Sequence, residues 1–76
     1  MGTVARYKGF EIAINTNDHL PPHVHVWRAG AEAKIAIVGG KIMENEGMRR
    51  ADLRTARAIV KSYEGYLLRK WEEIHG

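Results

Sequence analysis

Phe10, Ile12 and Ile14 alternate with Glu11, Ala13 and Asn15, the period of two that marks a strand buried on one face. The same alternation returns at His23–Trp27, with Val24 and Val26 on one face and His23, His25 and Trp27 on the other. Ile35 and Ile37 then alternate with Lys34 and Ala36 until Gly39-Gly40 ends the run. Ahead of these, residues 3–7 are β-tolerant and Gly9 punctuates them. Asn15-Thr16-Asn17-Asp18 has the composition of a turn, because short polar side chains bond their own backbone. Pro21-Pro22 holds the next segment extended, and Ala29-Gly30-Ala31 reads as a short hairpin connection. Residues 41–47 read as a loop, with one short edge strand at Lys41-Ile42-Met43.

From Met48 the period changes. Leu53, Ala56, Val60, Tyr63, Leu67, Trp71 and Ile74 recur at spacings of three and four, which predicts one amphipathic helix over 49–75. Arg49 is a poor N-cap, although Asp52 suits the first turn. Gly65 costs about 1 kcal/mol relative to alanine, so a bend or a close contact is expected there. The expected fold is a single α+β domain spanning 1–76. Strands within 3–43 form an antiparallel sheet of about four, packed on one long C-terminal helix. Val24 and Val26 would join Phe10, Ile12, Ile14, Ile35 and Ile37 beneath the helix. His23, His25, Trp27 and Lys34 would lie on the far face, exposed in a monomer.

Length and composition narrow the function. Seventy-six residues make one domain with a thin core and little room for a deep pocket. The absence of cysteine excludes a disulfide framework, a thiolate nucleophile and a cysteine-based zinc site, and points to a reducing cytoplasm. MGTVARYKGF lacks the apolar core of a signal peptide, and no stretch reaches membrane-spanning length, so no membrane partner is expected. The net charge of +3 favours an anionic partner.

Three of the four histidines, His19, His23 and His25, fall in NDHLPPHVHV. On a strand, His23 and His25 point the same way with Cα atoms about 7 Å apart. They can act as acid and base without a metal. They can instead share a metal with His19, or fix the Pro-Pro turn and dock a partner. Asp18 is the one carboxylate near enough to join them. Lys34 falls across the hairpin near His25 or Trp27, which would complete base, acid and charge stabiliser for phosphodiester cleavage. The plain alternative is an edge-strand lysine facing solvent. Glu32 reads as a solvated charge, with a base as the alternative. Trp27 can stack on a base, pack on a partner or cover the outer sheet. Arg50, Arg54, Arg57 and Lys61 recur at i, i+4, i+7 and i+11 on one arc of the helix, in the half where cations oppose the dipole. That arc suits a phosphate backbone or an acidic protein, or is a solvated face. Ser62, the only serine, has no recognisable base nearby, and no phosphate-binding or dinucleotide glycine pattern is present.

NDHLPPHVHV, then EAKI, then ADLRTARAIV and LLRKWEEIH, together resemble the domain of unknown function 4160 family of very small bacterial and archaeal proteins. Its signature is N-D-H-x-P-P-H-V-H-V near the N-terminus, and the resemblance runs from Thr3 to His75. Asp18, His19, Pro21, Pro22, His23, His25 and Lys34 match the pattern. Met48-Arg49 departs from it, where relatives often carry a capping residue. Members are often encoded beside a second small family, in pairs that look like toxin–antitoxin modules.

The resulting expectation is a toxin-like component acting on RNA or translation. His23, His25 and Lys34 form its catalytic set in the manner of a metal-independent ribonuclease. Trp27, Arg50, Arg54, Arg57 and Lys61 form its binding surface. No cofactor is called for, and the partner implied is a small antitoxin-like protein encoded nearby, with a homodimer left open. The alternatives are a non-catalytic protein-binding module and a small metal-binding protein using His19, His23 and His25.

Overall fold

Each alternating run becomes a strand, and the chain turns back on itself after every one. In the computed structural model, which describes residues 2–76, β1 (Gly2–Tyr7), β2 (Phe10–Ile14), β3 (His23–Arg28), β4 (Ala31–Ala36) and β5 (Ile42–Glu46) form one antiparallel sheet in chain order. Two connections are two-residue turns with both residues in the left-handed region: Lys8-Gly9 (φ 49° and 84°) and Ala29-Gly30 (φ 51° and 83°). That geometry matches the right-handed twist of the paired strands.

The sheet has five strands rather than about four. The whole of IMENE forms β5, yet only Ile42 is even half-buried. The short edge strand expected at 41–43 is its beginning; the exposed remainder carries no apolar alternation.

The helical region is also divided. Residues α1 (Arg50–Ser62) and α2 (Glu64–His75) meet at Tyr63, whose φ of −108° and ψ of 22° leave the helical region. The hydrogen bonds Tyr63 N–H to Ile59 O and Leu67 N–H to Tyr63 O carry the chain across, so the joint is a bend. A Cβ on Gly65 would make only an ordinary 3.7 Å contact with Arg69, so the expected bend is found, two residues before the glycine, and the close contact is not. Arg49 makes no side-chain cap, as expected. Asn45 instead braces the approach to α1, accepting from Met48 N–H and donating to Met48 O.

α1 lies against β4 and α2 against β2. The core between the two layers holds Phe10, Ile12, Ile14, Val24, Val26, Ala33, Ile35 and Ile37 from the sheet side, with Ala56, Ile59, Val60, Leu67 and Trp71 from the helices. No helix is long and apolar enough to cross a membrane.

Candidate functional site

The loop between β2 and β3 sets the site. Asn15 N–H donates to Asp18 Oδ2 at 3.2 Å, and Asp18 N–H donates to Asn15 O at 3.3 Å. This reciprocal turn aims the Asp18 carboxylate at the histidine face of β3. Asp18 Oδ2 lies 3.0 Å from His25 Nε2 and 3.5 Å from His23 Nε2. Each imidazole is fixed from its other nitrogen. His23 Nδ1 lies 2.9 Å from the carbonyl oxygen of Pro21, and His25 Nδ1 lies 2.9 Å from Glu32 Oε2. Asn15 Nδ2 is 3.1 Å from His25 Nε2, while Asn15 Oδ1 is buried without a partner among the described residues.

Aromatic rings wall the cluster from both ends. Trp27 stacks on His25 with centroids 5.8 Å apart, His25 and His23 lie 5.4 Å apart, and Trp71 meets His23 at 5.6 Å. Trp71 stacks in turn on His75 at 3.8 Å. A row of five rings therefore runs from β3 to the last turn of α2. This arrangement corrects the expectation of an open histidine face. His23 and His25 are each only 5% exposed. The alternation was right, since Val24 and Val26 do fill the core. The covering comes from the Asp18 loop and Trp71, which lie outside the alternating strands.

Lys34 pairs directly with His25 across β3 and β4, as the register required. Its ammonium is 3.0 Å from Glu44 Oε1. The hydrogen bond and charge of Glu44 push Lys34 above its ordinary value, with Asp18 and Glu32 adding to the effect. Trp27 is half-buried against His25, and His19 is exposed in the loop while its neighbour Asp18 enters the cluster. Glu32 is a direct partner of His25 rather than a merely solvated charge. The available clue was its position, opposite Trp27 and diagonal to His25 across the hairpin.

Arg50, Arg54, Arg57 and Lys61 are all exposed on α1, and none lies within ion-pair distance of a carboxylate among the described residues. Arg57 Nε donates to the carbonyl of Gly40 at 2.8 Å. On the other flank of the helices, exposed Tyr7, Tyr63 and Tyr66 line an apolar groove with Ile59 and Leu67, and Arg6 sits at its rim.

The family model for the domain of unknown function DUF4160 matches residues 9–72. The chain belongs to this family. Within the DUF4160 span lie Asp18, His23, His25, Glu32, Lys34 and Trp71, whereas His75 falls beyond it. No curated protein and no solved structure matches the chain.

Proposed function

We propose that this DUF4160 chain is an RNA-binding, toxin-like component of a two-gene pair, working in a reducing cytoplasm. The observation that carries the reading is the arc of Arg50, Arg54, Arg57 and Lys61, exposed along α1 and without carboxylate partners among the described residues. Eleven residues of helix place these cations over about 16 Å, enough to follow several phosphates. Arg50 and Arg54 sit in the N-terminal half of α1, where cations oppose the helix dipole, so helix stability gives no reason for those two. Lys61 lies in the last turn, which suits a cation. Because Arg57 is held to Gly40 through Nε, its two terminal nitrogens remain free for a bidentate phosphate contact. Tyr7, Tyr63 and Tyr66 add aromatic faces near Arg6 and Lys8, the pairing of ring and cation on which single-stranded bases stack.

One register pairing favours a cleaving form of the same reading: Lys34 lies opposite His25 on the face that carries both imidazoles, with its ammonium on Glu44. In that form His23, His25 and Lys34 supply acid, base and charge stabilisation after the Asp18 loop or the substrate rearranges to give access.

The test is fluorescence anisotropy with labelled single-stranded RNA across a salt series, alongside a gel assay for cleavage. Four phosphate contacts give a slope of log affinity on log salt near about −3. Replacing all four cations with glutamine should weaken binding and flatten that slope. Equal binding by parent and variant would remove the arc from the reading. Competition by an acidic protein for the arc, with no RNA binding, would make the chain a protein-docking module instead.

A further inference from the structure

We infer that Asp18, His23 and His25 form a binding site for one divalent late first-row metal ion, with Zn²⁺ the best-fitting candidate. The site is independent of RNA binding by the α1 arc, and it competes with the metal-free cleaving form, which needs the same two imidazoles. It differs from the three-histidine set given above as an alternative, since Asp18 rather than His19 provides the third donor.

The tautomers come first. A carbonyl oxygen only accepts, so His23 Nδ1, 2.9 Å from Pro21 O, carries the hydrogen of that bond. Glu32 Oε2 likewise accepts from His25 Nδ1 at 2.9 Å. In their neutral forms both rings therefore turn an Nε2 lone pair inward, toward Asp18 Oδ2. Three donor atoms then converge, all within 4.8 Å of one another. Asn15 Nδ2, 3.1 Å from His25 Nε2, can donate to one of these lone pairs, while His23 Nε2 and the Asp18 carboxylate still face each other as two acceptors. A cation resolves that opposition.

Spacing and charge agree. Ligand atoms about 2.0 Å from a tetrahedral Zn²⁺ sit about 3.3 Å apart. The distances from Asp18 Oδ2, 3.0 Å to His25 and 3.5 Å to His23, bracket that value. The carboxylates of Asp18 and Glu32 bring two negative charges to the rings, and a dication balances them. Lys34 and Glu44 cancel as a pair beside the site. The outer contacts are those of a metal-binding histidine: a carboxylate behind one ring and a backbone carbonyl behind the other, each fixing tautomer and ring angle. Two imidazoles and a carboxylate suit zinc and its neighbours rather than magnesium or calcium. Asp18 also lines a surface groove with Leu20, Trp71, Glu72 and His75, which gives an incoming ion a route to the carboxylate.

The full-length chain, stripped with chelator and dialysed, would be titrated with Zn²⁺ by calorimetry and with Co²⁺ by visible absorption. Expected are one ion per chain and the intense Co²⁺ bands of four-coordination. Long-range ¹H–¹⁵N spectra should show Nε2 of both His23 and His25 shifting on Zn²⁺ addition while both Nδ1 atoms keep their hydrogens. Asp18→Asn should weaken Zn²⁺ binding at least about tenfold, the lower end of what even outer-shell changes do. His19→Ala should bind as the parent does. Because replacing a buried histidine risks unfolding the chain, Asp18→Asn and the spectra of the intact protein carry the test. Failure of the parent to take up one ion, unaltered affinity in Asp18→Asn, or both rings doubly protonated and indifferent to Zn²⁺ would each overturn the site.

Discussion

His75, on the last turn of α2, reaches the backbone carbonyl of Asn15 at the end of β2, with Nε2 3.0 Å from the oxygen. Its Nδ1 lies 3.0 Å from the carbonyl of Trp71 in the same helix. Both acceptors are carbonyls, so the ring donates from both nitrogens when both bonds are made. One side chain thus ties the helix end to the residue that also aims Asp18. His75→Ala should lower unfolding free energy by about 1–2 kcal/mol through the lost bonds and the stack on Trp71. Hydrogen exchange at residues 15–18 should rise with it. Unchanged exchange in that loop would mean the tie does not hold it.

The histidines themselves are now expected to be structural as well as chemical. His23→Ala and His25→Ala should each cost about 2–4 kcal/mol, because a buried ring is lost and its acceptor is left unpaired. Loss of any activity in these alanine variants therefore says little unless their thermal transitions are measured beside it. Transitions matching the parent's would show that the covering by Asp18 and Trp71 is loose.

Ala29 sits at φ 51°, a conformation that alanine adopts at a cost and asparagine or glycine adopts readily. Ala29→Asn should stabilise the domain by about 0.5–1 kcal/mol, raising the melting temperature by about 2–8 °C. Its side chain is exposed at the hairpin tip, so no packing change accompanies the substitution. A lower melting temperature would show that this turn is not strained.

Gly40 combines a φ of +69° with a close approach by α1. A Cβ there would sit 2.9 Å from Lys61 Cγ. Gly40→Ala should destabilise by about 1–2 kcal/mol and displace the Arg57 and Lys61 stems, weakening RNA binding as well. Full RNA affinity in a folded Gly40→Ala chain would separate the turn from the basic arc.

For Lys34, the sign follows from Glu44. The hydrogen bond and charge of Glu44 raise the lysine above 10.5, so the folded state holds the proton more tightly than the unfolded chain. The corresponding stabilisation is present below 10.5 and is lost as pH rises through the folded value. Glu44→Gln should move the Lys34 titration, followed by NMR at Nζ, back toward its ordinary value and flatten this alkaline loss. An unmoved titration would assign the shift to some other carboxylate.

Much of the fold was legible because burial imposes a period. Ile12, Val24, Val26 and Ile35 alternate because one face of the sheet is covered, and Ala56, Val60, Leu67 and Trp71 repeat at helical spacing for the same reason. β5 was legible only at its start, as the short edge strand at 41–43, since the rest of IMENE is exposed. The bend at Tyr63 was hidden because the apolar repeat runs through it; Gly65, two residues on, hinted at it. The candidate site was legible only as a set of residue types. His23, His25 and Lys34 were placed on one face correctly. Their burial depends on Asp18 turning back from the loop and on Trp71 arriving from α2, and no local period encodes either contact.

The strands pair in the order in which they are made, so each can zip onto its predecessor as synthesis proceeds. Trp71 and His75 emerge only after all five strands, and until they do His23 lacks one wall. A growing chain can therefore hold a nearly complete sheet while its histidine cluster still stands open to solvent. Whenever α2 is undocked, His23 loses its Trp71 wall and the cluster is at its most accessible to ions or to a partner.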